Sequence, residues 1–273
     1  MPKIHPSAIV ADGAILDDSV EVGPFCYVGP HVQIGAGTRL IGHCNIDGYT
    51  TLGTGNVIHP FAALGQPAQD HAVVPGAKTY LKIGNDNVFR EGCAIHTGTK
   101  PDSETVIGNH CMFMNATHVA HNCRIGNNVI FVGFSGCAGY CEVFDNVLLS
   151  ALSGMHQFCR IGSIAMLGAR TIVRQDVPPY CMLAENSCIC GPNAIGLRRN
   201  GFDGPRRLAI RKAIKEGFFR GLNTANALAA IEAEPETPDV EHFVDFIRHS
   251  ERGIMPGDPE LIALGTHLDG PEE

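Results

Sequence analysis

The fold is decided by a stretch that begins IGNHCMFMNATHVAHNCRIGNNVIFVGFSGC at residue 107 and continues to Val177. An apolar residue occupies every sixth position of it: Ile107, Phe113, Val119, Ile125, Phe131, Cys137, Val143, Leu149, Met155, Ile161, Leu167 and Val173. Four residues after each of these comes a small or β-branched residue, as at Cys111 and Thr117. A period of six fits neither the 3.6-residue period of a helix nor the alternation of a simple strand, so it indicates a repeat architecture.

The six-residue repeat predicts stacked coils. One hexapeptide cannot bury its own apolar side chain, but a stack can, because each coil packs against the coils beside it. Three short strands would make a triangular coil of eighteen residues, with the apolar and the small residue both pointing inward. Gly, Asn and Asp follow many of the apolar residues and suit corners at which φ is positive. The sequence therefore predicts a mainly β protein, a parallel β-helix whose handedness the period does not fix.

The repeat extends over most of the chain and is interrupted twice. It begins at Ile4 and loses its phase near residues 66–80 and 97–106. We interpret both interruptions as loops that leave the coil, where binding residues are often placed. The run Asp176-Val-Pro-Pro-Tyr180 ends the β-helix, because consecutive prolines cannot continue to donate to a ladder. Residues 1–180 are therefore assigned to the β-helix domain.

The remainder of the chain has a different character. Residues 191–254 are rich in Ala, Leu, Arg, Lys and Glu with apolar positions at helical spacing, which predicts a small C-terminal α-helical domain. We expect one helix over residues 206–234 and a second over residues 238–254. Residues 255–273 contain repeated Gly and Pro and several acidic residues, and we expect a loosely ordered tail there.

Composition excludes several classes of function. The chain has 273 residues and a net charge of −8, which argues against a nucleic-acid partner. It has neither an N-terminal apolar signal region nor a run of 18 apolar residues, so we expect a cytoplasmic protein without stable membrane insertion. Eight of the eleven cysteines occupy inward positions of the repeat and should behave as small buried apolar residues. Cys188-Ile-Cys190 lacks a second pair of ligands, so we expect neither a disulfide nor a metal site.

The densest polar cluster is Asn115-Ala-Thr-His118-Val-Ala-His121-Asn122. In the repeat frame His118 lies at a corner, and His121 points outward after the next strand. Gly139 lies one coil beyond His121 and would leave room for a ligand over the ring, while His156 follows two coils further on. A neutral imidazole is a natural general base near neutral pH, so the cluster indicates acid–base chemistry, with solvated surface histidines as the alternative.

Five strings carry a resemblance to a known family. They are His118-Val-Ala-His121-Asn-Cys, Ala138-Gly139, Met155-His156-Gln157-Phe158-Cys159, Gln175-Asp-Val-Pro-Pro-Tyr180 and Gly196-Leu-Arg198-Arg199-Asn-Gly201-Phe202. Together they resemble the UDP-N-acetylglucosamine O-acyltransferases, hexapeptide-repeat enzymes of lipid A biosynthesis, over residues 1–250. The resemblance implies a left-handed parallel β-helix and a homotrimer whose active sites lie between neighbouring subunits. It also implies transfer of a (3R)-hydroxyacyl chain from acyl carrier protein to the 3-hydroxyl of UDP-N-acetylglucosamine, with no cofactor and no metal.

The resemblance also implies roles for particular residues. The general base maps to His121, and the backbone N–H that binds the oxyanion maps to Gly139. Positions that hold the nucleotide sugar map to Asp70, His118, Tyr140, His156 and Gln157, with Asn193 and Arg199 at the uridine and phosphate end. The length of the acyl chain would be limited at Gly168 and Ala169.

A basic cluster in the C-terminal domain suits an acidic carrier protein. Its members are Arg198, Arg206, Arg207, Arg211 and Lys212. On a chain of negative net charge, this local reversal of sign indicates a docking surface for an acidic partner. An ordinary solvated helix face is the alternative interpretation.

The chain departs from the family pattern at several positions. Asn122 follows the base where an acidic residue is common, Tyr140 replaces a histidine, and Ala72 and Asn200 replace basic residues. These changes leave open N-acylation of a 3-amino UDP-sugar, or the activity of another nucleotide-sugar acyltransferase or acetyltransferase. Ala169 in place of a glycine predicts a somewhat shorter acyl chain.

Two alternatives come from other classes of protein. A zinc lyase of the γ-carbonic anhydrase type would need three histidines that converge across a subunit boundary, and the chain offers His96, His118, His121 and His156. A non-catalytic coil would need no outward histidine beside Gly139.

Overall fold

The computed structural model describes residues 1–233 and 237–263. Within those residues the chain forms 28 short strands and five helices. The strands build a left-handed parallel β-helix, and the helices form a small region at its C-terminal end, as the sequence predicts.

Three sheets form the faces of the β-helix, and as far as residue 173 each successive strand belongs to the next face. The pairing within the sheets is parallel, except between the last two strands of the first sheet, which are antiparallel. The first sheet contains β1 (Lys3–Ile4), β4 (Glu21–Val22), β7 (Arg39–Leu40), β10 (Val57–Ile58), β13 (Val88–Phe89), β16 (Met112–Phe113), β19 (Ile130–Phe131), β22 (Leu148–Leu149), β25 (Met166–Leu167), β27 (Cys181–Leu183) and β28 (Ile189–Pro192). The second contains β2 (Ile9–Val10), β5 (Tyr27–Val28), β8 (Asn45–Ile46), β11 (Ala63–Gln66), β14 (Ala94–His96), β17 (His118–Val119), β20 (Gly136–Cys137), β23 (Gly154–Met155) and β26 (Ile172–Val173). The third contains β3 (Ile15–Leu16), β6 (Gln33–Ile34), β9 (Tyr49–Leu52), β12 (Tyr80–Ile83), β15 (Glu104–Ile107), β18 (Arg124–Ile125), β21 (Glu142–Val143) and β24 (Arg160–Ile161).

The register of these sheets is the eighteen-residue coil that the repeat predicts. Met112 pairs with Ile130, and Ile130 pairs with Leu148. The coils that contain the two interruptions are longer, because residues 67–79 and 97–103 leave the strands between β11 and β12 and between β14 and β15.

The interior is a continuous column of apolar side chains. Phe89, Phe113 and Phe131 are fully buried and stack in succession, with ring centroids 4.9 and 5.1 Å apart. Some buried polar side chains pair with each other, as where Nδ2 of Asn87 donates to Oδ1 of Asn56 at 3.0 Å. The eleven cysteines are free thiols, and the eight in the repeat register are buried.

The corners differ in part from the expectation. Asn122 and Asn128 have positive φ there, as expected, but so do large residues such as Phe134, Tyr140 and Phe158. A side chain at positive φ costs roughly 1 kcal/mol or more in steric strain. Stacking of the Tyr140 ring on the Phe158 ring one coil away, with centroids 4.9 Å apart, offsets part of that cost.

The C-terminal region contains α1 (Ala194–Arg199), α2 (Gly204–Phe218), α3 (Thr224–Glu232), α4 (Pro238–Arg248) and α5 (Pro259–Ala263). The single helix expected over residues 206–234 is two helices, α2 and α3. The chain turns at Gly221, whose φ is +67°, and the side chain of Asn223 then caps α3 by accepting from the N–H of Asn226.

The first part of the expected tail is attached to the end of the β-helix. Met255 is buried and its N–H donates to the carbonyl oxygen of Asp176 at 2.9 Å. The N–H of Ile189 donates to the carbonyl oxygen of Pro256 at 2.8 Å. Residues 264–273, the rest of that expected tail, lie outside the described residues.

The packing of the column predicts which leucine supports the fold. Leu149 is fully buried in the β-helix, whereas Leu208 on α2 is 49% exposed. Leu149→Ala should lower the free energy of unfolding by about 2–5 kcal/mol, because it leaves a cavity between coils. Leu208→Ala, the matched control, should lower it by less than about 1 kcal/mol. Urea denaturation at one fixed protein concentration measures both, and equal losses would contradict this account of the core.

Candidate active site

The histidine cluster lies on the second sheet and on the turn that follows it. His118 is on strand β17 itself, pointing out of the sheet, rather than at the corner where the sequence analysis placed it. His121 lies in the turn after the strand, and its outward side chain is only 6% exposed because other segments cover it. One of those segments is the loop of residues 67–79, which brings Asp70 to the imidazole.

Both nitrogens of His121 have defined neighbours. Nδ1 lies 3.0 Å from Oδ1 of Asn122, and Nε2 lies 3.2 Å from Oδ2 of Asp70. The N–H of Thr99 donates to the same Asn122 atom at 3.1 Å, so that atom is an acceptor and therefore the amide oxygen. An acceptor therefore faces each ring nitrogen, an amide oxygen at Nδ1 and a carboxylate at Nε2, and the two contacts together suit the imidazolium, which donates to both. In the neutral ring, the tautomer with the proton on Nδ1 keeps the hydrogen bond to Asn122 and leaves Nε2 as the nitrogen that accepts a proton.

Asp70 provides the negative charge that Asn122 lacks. The sequence analysis found no acidic residue next to His121, but the first loop supplies a carboxylate from 51 positions earlier in the chain. The loop holds this carboxylate in place, since the N–H of Ala72 donates to its Oδ1 at 2.7 Å. A carboxylate beside Nε2 stabilises the imidazolium that forms when the ring accepts a proton.

Gly139 lies directly against the face of His121. A Cβ atom at this position would lie 2.6 Å from Nε2 of His121 and closer still to Cε1, so only glycine fits there. The inter-coil ladder uses the amides on either side, because Ala138 donates to Met155 and Tyr140 donates to His121. The N–H of Gly139 is not part of that ladder, which is what an oxyanion donor requires.

Tyr140 forms a wall of the site. Its ring contacts His121 edge-on, with centroids 5.2 Å apart, and its hydroxyl lies 3.1 Å from Oγ1 of Thr99. Thr99 Oγ1 in turn donates to Oδ1 of Asn122 at 3.1 Å. These contacts link the wall to the residue that orients the imidazole.

A second pair of histidines adjoins the first. The rings of His96 and His118 are 5.0 Å apart, and Nδ1 of His96 lies 2.8 Å from the carbonyl oxygen of Pro67. Burial, as the largest cause, and the neighbouring His96 and His121 together lower the pKa of His118 to about 4. His118 is therefore neutral near pH 7 and suits hydrogen bonding to a ligand.

The other residues implied by the resemblance lie further from His121 along the chain. His156 and Gln157 are exposed, and Nδ1 of His156 lies 3.2 Å from Nη2 of Arg252. Gly168 and Ala169 form the turn between β25 and β26.

Asn193 and Arg199 lie at opposite ends of α1. The Asn193 side chain is occupied within the protein, because its Oδ1 accepts from the N–H of Gly196 at 2.9 Å and its Nδ2 donates to the carbonyl oxygen of Ile164 at 2.7 Å. Arg199 is exposed in the last turn of the helix.

The basic cluster is only partly directed outward. Arg206 donates to both carboxylate oxygens of Asp239, at 2.7 and 2.8 Å, and its guanidinium lies 3.8 Å from the ring centroid of Phe202. This ion pair joins α2 to α4, so Arg206 has a structural role that charge alone did not indicate. Arg207 donates to the carbonyl oxygen of Phe202 at 2.9 Å, while Lys212 is exposed.

Sequence reasoning missed three contributors: Thr99, the amide oxygen of Asn122, and Arg252. Thr99 lies in the second interruption of the repeat, which was the one available signal for it. No sequence pattern connects Arg252 to a histidine 96 positions earlier.

Two structural findings hold for residues 1–233 and 237–263. No group of three or more His, Cys, Asp and Glu side chains is arranged to hold a metal ion. No helix in these ranges combines the length and the apolar character needed to cross a membrane.

Comparison with known proteins first gives the class. Residues 104–139 match the family model described as bacterial transferase hexapeptide (six repeats). Residues 176–255 match the model described as UDP N-acetylglucosamine O-acyltransferase, domain 2. With the β-helix and its covered histidine site, these matches define a hexapeptide-repeat acyltransferase.

The most similar relatives then give the family. Two curated relatives, from Syntrophobacter fumaroxidans and Azorhizobium caulinodans, are named acyl-[acyl-carrier-protein]–UDP-N-acetylglucosamine O-acyltransferase. The first is 40% identical over 257 residues (93% of this chain, 99% of the relative) and the second 46% over 263 residues (92% and 97%). The UDP-N-acetylglucosamine acyltransferase of Francisella novicida superimposes with a TM-score of 0.91 at 34% identity over 99% of both chains. That of Campylobacter jejuni gives 0.87 at 30% identity over 94% of this chain and 100% of the other. This chain belongs to the UDP-N-acetylglucosamine O-acyltransferase family.

The low pKa of His118 has a consequence for stability. Because folding lowers this pKa from 6.5 to about 4, the unfolded chain binds more protons than the folded chain between those pH values. Stability should therefore fall as the pH decreases from about 6.5 towards 4, and His118→Gln should reduce that fall. NMR titration of the His118 ring should show a neutral imidazole down to about pH 5. A midpoint near 6.5 would refute the assignment of a buried, neutral His118.

Proposed function

We propose that the protein transfers a (3R)-hydroxyacyl chain from acyl carrier protein to the 3-hydroxyl of UDP-N-acetylglucosamine, the first step of lipid A biosynthesis. The names of the relatives support the two substrates. The observation that carries the mechanism is the orientation of His121, with Nδ1 held by Asn122 and the basic Nε2 facing Asp70.

The chemistry follows from these contacts. Nε2 of His121 takes the proton of the sugar 3-hydroxyl as that oxygen attacks the thioester carbonyl carbon. The carbonyl oxygen becomes an oxyanion, which the N–H of Gly139 binds, and such a donor is worth on the order of 3 kcal/mol. The tetrahedral intermediate then expels the carrier thiolate, and the imidazolium gives its proton to that thiolate. Asp70 stabilises that imidazolium while it lasts.

The nucleotide sugar would extend from His121 along the upper coils. Neutral His118 and the hydroxyl of Tyr140 are suited to hydrogen bonds with the sugar. His156 and Gln157 would contact the nucleotide, and Arg199 would neutralise phosphate charge, with Asn193 holding the start of its helix in place.

The outer face of the second sheet is suited to the acyl chain. The positions stacked above His118 are Gly136 and Gly154, which leave a trough without side chains. Ile172 ends it, because its Cδ1 lies 3.5 Å from where a Cβ of Gly154 would be. The adjoining turn at Gly168 and Ala169 would then limit the length of the chain.

The protein would act as a homotrimer with the site in the groove between subunits. One corner of the β-helix carries an apolar ridge of Phe25, Phe61, Phe134 and Leu152, each more than half exposed. A ridge of this kind is typical of a contact with another protein, and closed rings of identical subunits are common.

The acyl carrier protein would dock on the C-terminal helices. We assign the surface to the whole basic cluster, in which Arg206 also donates to Asp239: Arg198, Arg206, Arg207, Arg211 and Lys212. Their positive charge complements a strongly acidic carrier.

A 3-amino sugar is the second candidate acceptor. Asn200, which replaces a basic residue of the family pattern, donates through Nδ2 to the carbonyl oxygen of Gly196 at 2.9 Å and so is turned towards its own helix. Tyr140 places a phenol where the family pattern has a histidine. The sugar pocket therefore differs in charge from that pattern, and an amide product is the alternative outcome.

Acyl transfer with both acceptors tests the proposal. The assay uses (3R)-hydroxyacyl carrier proteins of several chain lengths, with UDP-N-acetylglucosamine and its 3-amino analogue side by side. The wild type should acylate one sugar, with a preference for chains shorter than the longest donor. His121→Ala should lower kcat by about 10²–10⁴, because it removes the general base. His5→Ala, an exposed histidine in the first coil, should be unaffected. Transfer to neither sugar would refute the proposed reaction.

The contact between Gly139 and His121 gives a second prediction. Gly139→Ala should displace the imidazole and lower kcat at least about a hundredfold, since it disturbs both base and oxyanion donor. Gly204→Ala, where an added Cβ meets nothing within 4 Å, is the control and should keep full activity. Full activity of Gly139→Ala would mean that this glycine does not adjoin the reacting atoms.

A further inference from the structure

The segment after α4 is tied to the last coil of the β-helix. Oγ of Ser250 donates to Oδ2 of the buried Asp176 at 2.8 Å, and the N–H of Asp176 donates to the carbonyl oxygen of Gly253 at 2.8 Å. The other carboxylate oxygen of Asp176 accepts from the N–H of Arg160 at 2.8 Å. With the Met255 contact described above, these hydrogen bonds fix the backbone of residues 250–255 over the end of the coil.

Arg252 lies in the middle of this tied segment and reaches back to the site. Its carbonyl oxygen lies 3.4 Å from Nε2 of Gln175, and its Nη2 lies 3.3 Å from the carbonyl oxygen of Arg174. The same Nη2 lies 3.2 Å from Nδ1 of His156. A guanidinium is always a donor, so the imidazole nitrogen that it faces must accept.

We infer that Arg252 is a positioning residue for His156, which fixes the ring as the tautomer with the proton on Nε2. Nδ1 then holds the lone pair that accepts from Arg252, and Nε2–H is a donor directed to a ligand. The inference rests on the proposed function only in that His156 is taken to hold the nucleotide sugar. A donor at Nε2 suits the phosphate and hydroxyl oxygens of such a ligand.

A competing contact makes the inference testable. Nδ1 of His156 also lies 3.2 Å from the carbonyl oxygen of Gln157, which would favour the opposite tautomer with the proton on Nδ1. Only one of these two contacts can be a hydrogen bond in the neutral ring. The contact with a charged donor is the stronger of the two, and it therefore selects the lone pair at Nδ1.

NMR of the ring nitrogens tests the tautomer directly. The full chain is labelled with ¹⁵N-histidine and studied at pH 8, where histidines are mostly neutral, with His156→Gln used to assign the signals. The wild type should show an unprotonated Nδ1 and a protonated Nε2. Arg252→Ala should move the proton towards Nδ1, whereas Arg252→Lys should keep the wild-type pattern. A protonated Nδ1 in the wild type, or no change in Arg252→Ala, would overturn the inference whether or not the enzyme acylates UDP-sugars.

Kinetics then tests whether Arg252 acts through His156. Arg252→Ala should lower kcat/KM for the nucleotide sugar about tenfold, a loss similar to that seen when the hydrogen-bond partner of a metal-ligating histidine is removed. Combined with His156→Ala it should add nothing to the loss from His156→Ala alone. Arg174→Ala removes one neighbouring exposed positive charge, and this control should keep most of the activity. Losses that add in the double variant, or an equal loss in the control, would show that Arg252 acts by another route.

Discussion

The hydrogen bonds between successive coils are the constraint on which the structure depends. Outside the two interruptions, each coil donates to the next at a fixed spacing of eighteen residues, so a residue's position in the sequence fixes its column on the surface. His121 and Gly139 are not neighbours in the sequence, and they adjoin only because this register stacks one coil on the other. The apolar core has the same origin, because the register that aligns the surface columns also aligns the inward side chains.

The site becomes specific where the chain departs from that register. Asp70 lies in the first interruption and Thr99 in the second. A regular coil could not bring either residue to the surroundings of His121. One loop supplies a charge at Nε2, and the other supplies the donor that fixes the orientation of Asn122 at Nδ1. The regular coils therefore provide the rigid base, and the loops supply the groups that surround the two nitrogens of the imidazole.

The fold could be predicted because its signal is local and repeated twelve times over residues 107–173. The repeat register also predicted that Gly139 lies next to His121. The roles of the two residues came from the resemblance to the family. The pairing of Asp70 with His121 could not be derived, since an irregular loop has no periodicity from which to place its side chains. Charge alone did not reveal the ion pair between Arg206 and Asp239, because a sequence does not show which cation has an acidic partner in the fold. The break between α2 and α3 was not predicted, because it depends on a single glycine with positive φ in a segment whose composition otherwise favours a helix.

The register also limits how such a chain can change in length. A whole extra coil inserted between Val22 and Leu40 would keep every inward position inward and leave the columns that carry His121 and His156 unchanged. A single inserted residue would turn the following strand over and expose its apolar face. The β-helix can therefore become taller or shorter only by whole coils. Such a change in height leaves the geometry of the site unaltered.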